Sequence, residues 1–220
     1  MERHFDQELA KLKEELLRMA SLADAAVANA LKALVQRDNA LAEQVHVGDD
    51  VIDKLDVEID DRAIKLLALR QPTASDLRFI TMAMTISGEL ERIADQAVNI
   101  AHRALELNKE PLLKPLIDIP RMAETARGMI REALDAFVYN QPDRARAVIN
   151  RDNDVDNINR QLHRELTSFM IEDPHTITRC LSLMSVAHNL ERIADHATNI
   201  AEEVIYICEG RDIRHQPTTP

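Results

Sequence analysis

The stretch LERIADQAVNIA at residues 90–101 returns as LERIADHATNIA at residues 190–201, identical at ten of twelve positions and displaced by one hundred residues. A 220-residue chain that repeats itself at half its length is most simply two copies of one unit, and whatever both copies keep bears on what the unit does. Both keep a carboxylate pair four residues apart: Glu91 with Asp95, and Glu191 with Asp195.

The residues available to build that unit favour helices. The chain has four glycines, no tryptophan and 3% aromatic residues. Ala, Leu, Ile, Glu, Asp and Arg dominate, a balance that suits long helices and predicts an all-α fold. A chain of this length can bury one large core or two smaller ones, and the repeat favours two. A net charge of −11 argues against binding a phosphate backbone, so no nucleic-acid partner is expected. It suits cations or basic partner surfaces. The longest uncharged run in a helical stretch is Phe79 to Gly88, far short of the roughly 20 residues a membrane span needs, so no direct membrane insertion is expected. The first residues are charged and amphipathic, without the apolar run of a secretory signal. Cys180 and Cys208 follow no metal or redox spacing, and a reducing cytoplasm suits them.

Apolar residues at steps of three and four mark six helices. The first carries Leu9, Leu12, Leu16, Met19, Ala23, Ala26, Ala30 and Ala33 and ends near Asp38 or Asn39. The second carries Val45, Ile52, Leu55, Ile59, Leu66 and Leu69 and runs to Pro72, where Thr73 followed by Asp76 reads as a variant capping box opening the third. Pro111, Pro115 and Pro120 mark a linker. The fourth helix spans about 120–140. The fifth begins near Pro142 and stops at Asp173-Pro174, which cap and open the sixth. Three helices per half with short connections fold antiparallel, which predicts a tandem repeat of two three-helix bundles. The boundaries read as 1–110 and 111–210, with a polar, frayed tail at 211–220. Met82, Met84, Met129 and Met184 are expected in the cores.

The spacing i, i+4 puts two carboxylates on one helix face, and it recurs as Asp49 with Asp53 on the second helix and Asp152 with Asp156 on the fifth. In an antiparallel hairpin, positions at the same height add to twice the position of the turn. Asp49/Asp95 and Asp53/Glu91 both add to 144, which puts the turn at residue 72, the proline. Asp152/Asp195 and Asp156/Glu191 both add to 347, which puts it between Asp173 and Pro174. Each half therefore gathers four carboxylates at one level on neighbouring helices, Asp24 and Glu124 being further candidates near that level. Such a group repels itself and calls for cations. Two readings stay open: metal ions held by oxygen ligands, or an ion-pair network using Arg92 and Arg192. Oxygen ligation favours Mg, Ca, Mn or iron. Asn99, Asn199, His102, His188 and His196 read as surface residues. No nucleophile with a base, phosphate loop or dinucleotide fingerprint is present, so an enzyme is not expected.

RQPTASDLR at 70–78, GELERIAD at 88–95, NLERIAD at 189–195 and EGRDIRH at 209–215 closely resemble the PhoU family of phosphate-signalling regulators. The likeness covers nearly the whole chain. Its E(D)xxxD motif falls on Asp49/Asp53, Glu91/Asp95, Asp152/Asp156 and Glu191/Asp195, with Ala94 and Ala194 standing where many relatives have glycine. The resemblance implies a cytoplasmic, non-enzymatic adaptor, peripheral to the inner membrane through its partners and often a homodimer, some members holding multinuclear iron or zinc clusters on the motif. It implies repression of the phosphate-starvation regulon in phosphate homeostasis, by linking the ATPase PstB of the phosphate ABC transporter to the sensor histidine kinase PhoR. A metal-free helical scaffold and a di-metal carboxylate enzyme are the rival classes. The enzyme would need inward-facing Glu-x-x-His motifs, which are not found.

Overall fold

In a computed structural model, residues 2–70 and 72–210 are described. They form helices α1 (Glu2–Gln36), α2 (Asn39–Arg70), α3 (Ala74–Leu107), α4 (Asp118–Tyr139), α5 (Pro142–Glu172) and α6 (Ile177–Glu209), with a short 3-10 turn at Pro174–Thr176 and no strand among them. The tail read as frayed, and with it most of the EGRDIRH segment, lies outside the described residues.

The helix ends follow local chemistry. Arg37 and Asn140 take left-handed backbone conformations, with φ of 57° and 50°, and stop α1 and α4; Gly210, at 64°, stops α6. Asp38 opens α2 by accepting the Leu41 amide at 3.0 Å. Asp173 does the same for the last hairpin, accepting the His175 amide at 3.0 Å ahead of Pro174. The expected capping box at Thr73 does not form. Its hydroxyl donates to the Asp76 carboxylate at 2.6 Å and leaves the backbone amides of α3 uncapped. The start of the linker is tied down from two sides, Arg37 of α1 donating to the carbonyls of Asn108 and Glu110 at 2.7 Å each and Arg179 of α6 to that of Pro111 at 3.1 Å.

Within each half the three helices pack on one another. Between halves, α3 packs along α6 and α1 touches α4, while α2 and α5 contact only their own half. The apolar seams therefore merge. Leu16, Ile59, Leu90, Met129, Leu166 and Leu190 belong to a single buried cluster running through both halves, so the two separate cores expected from the repeat are one. The reason is that α3 and α6 each carry buried residues on two sides, one toward their own bundle and one toward each other. Truncating a fully buried leucine such as Leu90 or Leu190 to alanine would cost about 2–5 kcal/mol. Leu69 is not on the seam but 73% exposed, because the three-residue step from Leu66 turns it about 60° off the buried stripe. Met129 is fully buried, and Met82, Met84 and Met184 are half-buried.

Candidate functional site

The α2/α3 and α5/α6 hairpins bring the repeated carboxylates together. In the first half burial, then the charges of Asp53 and Asp95, push the Asp49 carboxyl up to about 6. Burial and Asp95 raise Asp53. Burial, Asp95, Asp56 and Asp53 raise Glu91 against the pull of Arg92. In the second half burial, Asp195, Asp156 and Glu191 push Asp152 up to about 6. Burial, Glu191 and Asp156 raise Asp195, with His196 and Arg192 opposing. Asp49 with Asp95, Asp53 with Glu91 and Asp152 with Asp195 are facing pairs that the two hairpin turns dictate; the other influences run along one helix or diagonally across the hairpin. All eight carboxylates are half-buried or exposed. Only Glu191 has a polar partner among the described residues, His188 Nδ1 at 3.1 Å.

Each half thus presents a belt of like charges, and among the described residues no lysine or arginine is hydrogen-bonded to either belt. Of the two arginines read as forming an ion-pair network, Arg92 pairs with Glu89 at 2.8 Å while its charge also acts on Glu91, and the charge of Arg192 acts on Asp195. The donor set is all oxygen, which suits a hard cation. As the side chains stand, no group of three or more described His, Cys, Asp or Glu residues is arranged to hold one metal ion.

Two of the sequence candidates lie elsewhere. Asp24 accepts two hydrogen bonds from Arg127, at 2.7 and 3.0 Å, and two from Arg131, at 3.3 and 3.1 Å, which clamps α1 to α4. Burial works against its charge, but the two guanidinium groups win and hold the carboxyl below its usual value. Glu124, exposed on α4, acts on Arg127 in the same region. Equal height along the bundle does not mean the same face, and these two residues face the seam between halves.

His196, expected at the surface, is buried at 8% exposure. Its Nδ1 lies 2.7 Å from Oε2 of Glu89, which is itself 6% exposed, and Asn199 donates to the same oxygen at 3.0 Å. Asn199, though exposed, helps hold the buried Glu89 carboxylate, whereas Asn99, His102 and His188 are exposed as expected. Burial opposes the Glu89 charge, yet His196, Asn199 and Arg92 outweigh it and lower its pKa.

This contact fixes an antiparallel register between α3 and α6. Arg103 meets Ser185 at 3.3 Å and Glu106 meets Ser182 at 3.4 Å in the same sense. In that register Gln96 falls level with Asn189, both buried, and the two pairs are related by exchange of the repeats. The carboxylate–imidazole pair on one side of the crossing is replaced by two amides on the other. The signal was present in the repeat alignment, where Glu89/Asn189 and Gln96/His196 are positions at which the copies differ.

The sequence reading also missed Asp50 and Asp56, whose charges reach the first belt, and His46 on α2, whose ring centre lies 5.4 Å from that of His102. Asp56 accepts a hydrogen bond from Ser87 at 2.5 Å.

Comparison with known proteins follows the duplication. A family model described as the PhoU domain matches the chain twice, at residues 16–104 and 119–204. The phosphate-specific transport system accessory protein PhoU homolog of Caulobacter vibrioides is 42% identical over 213 residues, covering 96% of this chain and 93% of that protein. The homolog of the same description from Aquifex aeolicus is 43% identical over 210 residues, covering 96% and 95%. The crystal structure of PhoU from Pseudomonas aeruginosa superposes with a TM-score of 0.91 at 39% identity, over 94% of this chain and 100% of that one. That of the phosphate transport system regulatory protein PhoU from Streptococcus pneumoniae does so with 0.88 at 29%, over 95% and 99%.

Proposed function

The chain belongs to the PhoU family, which is a family of transport accessory and regulatory proteins and not of enzymes, and from that membership we propose that it is an accessory protein of phosphate uptake that represses the phosphate-starvation response. It does so as an adaptor between the transporter ATPase PstB and the sensor histidine kinase PhoR. The observation that carries this reading is similarity over nearly the whole chain to proteins described as phosphate-specific transport system accessory proteins, on a scaffold with two open carboxylate belts. No described helix is long and apolar enough to cross a membrane, so membrane-bound partners would be met from the side.

The mechanism is differential binding. An adaptor that binds the non-signalling conformation of the kinase more tightly shifts its population toward that state, by no more than the difference in affinity. Divalent or iron-type ions on Asp49, Asp53, Glu91 and Asp95, and on Asp152, Asp156, Glu191 and Asp195, would neutralise the belts and give them a net positive or neutral face toward a partner. The test is a deletion strain carrying a starvation-gene reporter in phosphate-rich medium, with transporter and kinase intact. Reporter expression should rise. Expression that stays repressed overturns the adaptor reading.

A further inference from the structure

We propose that the segment following α6, Arg211 to His215, is a strap that closes the cleft between the start of α3 and the end of α6, with Ile213 as the side chain that fills it. The repeat points there. Arg37 and Asn140 correspond, each stopping the first helix of its half in left-handed geometry. Leu107 and Ile207 correspond at the ends of α3 and α6, and Phe79 and Arg179 near their starts. In the first half the chain leaving α3 passes over this place. Arg37 donates to the carbonyls of Asn108 and Glu110, Arg179 to that of Pro111, and Leu113 packs on the core near Leu34 and Leu107. In the second half the corresponding place is an open cleft of 590 Å³, lined by Arg78 and Phe79 of α3, Asn140 after α4, and Ile207, Cys208 and Glu209 of α6. The residue that corresponds to Leu113 is Ile213.

Reach and chemistry both fit. Gly210, with its left-handed φ of 64°, turns the chain off the axis of α6. The three residues from there to Ile213 span at most about 10 Å when extended, enough to cross a cleft of that volume. Phe79, whose ring stacks on that of Phe137 with centres 5.5 Å apart, and Ile207 both pack against the core and offer Ile213 an apolar floor. Arg78 has no ion-pair partner among the described residues, and its Nε is buried without a hydrogen bond. Asp212, next to Ile213, brings the carboxylate it lacks. The linker holds its place with Leu113 and Leu116, whereas the strap has one apolar anchor among charged residues. It can therefore leave without baring a large apolar surface of its own, and the cleft is a surface that the chain's own end covers or exposes. A segment whose polarity reads as a frayed end has in Ile213 one side chain with a place to go. This goes beyond the adaptor reading and does not depend on it.

Cys208 lines the cleft and is exposed, whereas Cys180 is fully buried, so thiol chemistry reads the cleft and the fold at once. The full chain, untagged, reduced and in chelator, is reacted with a disulfide reagent that releases a coloured thiolate, and the rates at the two cysteines are followed separately. Ile213→Ser changes no charge and should speed the reaction of Cys208 about fivefold while Cys180 stays silent. Ile213→Val should keep the wild-type rate. Arg78→Gln should also speed it, against the slowing that loss of a nearby cation gives a thiol. Rates at Cys208 that are unchanged in both Ile213→Ser and Arg78→Gln overturn the strap. Protection of Cys208 that grows with protein concentration also overturns it and gives the cleft to a second copy of the chain. A failed adaptor reading would show instead in the reporter strain, with the protection of Cys208 intact.

Discussion

Glu89 and Glu91 lie two residues apart on α3 and behave in opposite ways. Glu89 faces α6, is nearly excluded from solvent, and holds its proton less tightly than a free glutamate because His196, Asn199 and Arg92 surround it. Glu91 faces the belt, is more open, and holds its proton more tightly because its neighbours are Asp95, Asp56 and Asp53. Burial pushes both the same way, so the difference is made by partners. The seam therefore stabilises the fold with its carboxylate, and the belts destabilise it with theirs. The copies diverge where the carboxylate supports folding and agree where it does not.

The largest effect that would break this contrast is at the seam. Glu89→Ala leaves His196 and Asn199 without their acceptor in a buried place and should cost about 3 kcal/mol in urea unfolding. Glu89→Asn with His196→Gln copies the amide pair of Gln96 and Asn189 onto the charged side and should recover at least half of that loss. If the double variant is no more stable than Glu89→Ala, the two sides of the crossing are not equivalent and the register argument fails.

The belts should respond with the opposite sign. Asp49→Asn and Asp152→Asn, measured in chelator at pH 7, should each stabilise by about 1 kcal/mol, less than the raised pKa alone would give because both sites are partly solvated. Added Mn2+ should raise the Tm of the wild type, and Asp95→Asn with Asp195→Asn should remove that gain. Equal Mn2+ stabilisation of wild type and double variant would take the belts out of metal binding.

The pH dependence follows from the same directions. Asp49 and Asp152, raised to about 6, bind protons more readily folded than unfolded, where such a group titrates near ~3.9. Their penalty is relieved as pH falls from about 6 toward about 4. Glu89 and Asp24 are lowered, so the stability they provide is lost only as pH falls through their folded values, below the usual carboxylate range. Metal-free protein should therefore gain up to about 1 kcal/mol as pH falls from 7 to about 4 and lose stability on acidification below that range. A monotonic fall from pH 7 would mean that the paired carboxylates, not the belts, dominate the titration.

The belts were legible in the sequence because a hairpin imposes arithmetic: once Pro72 and Asp173-Pro174 are taken as turns, the heights of Asp49, Asp95, Asp152 and Asp195 follow. Height was legible but azimuth was not, which is why Asp24 was grouped with the belts when it faces Arg127 across the seam. The packing of α3 on α6 was hidden for a related reason. Alanines at 94, 97, 101, 194, 197 and 201 read as ordinary helix formers, and only their complete burial reveals how closely the helices approach. Once that approach is known, Glu89 and His196 must meet. Without it, a histidine beside Asp195 reads as surface. The Thr73 cap failed because a nearby carboxylate competed with the backbone amides for its hydroxyl.

The smallest effect separates the two arginines that stand between seam and belt. Arg92 donates to Glu89 at 2.8 Å with its own side chain 57% exposed, and it also offsets the field on Glu91. Arg192 occupies the repeat-equivalent position, but residue 189 is asparagine, so it has no carboxylate there to pair with, and its charge opposes the rise at Asp195. An exposed ion pair is worth well under 1 kcal/mol. Arg92→Ala should therefore destabilise the protein by about 0.5 kcal/mol more than Arg192→Ala, while Arg192→Ala should raise the Asp195 titration midpoint read by NMR. The residue three positions earlier, Glu89 against Asn189, is what separates the two arginines. In a Glu89→Asn, His196→Gln background the gap between the two alanine variants should close, and a gap that persists there would mean that Arg92 supports the fold through the belt rather than the seam.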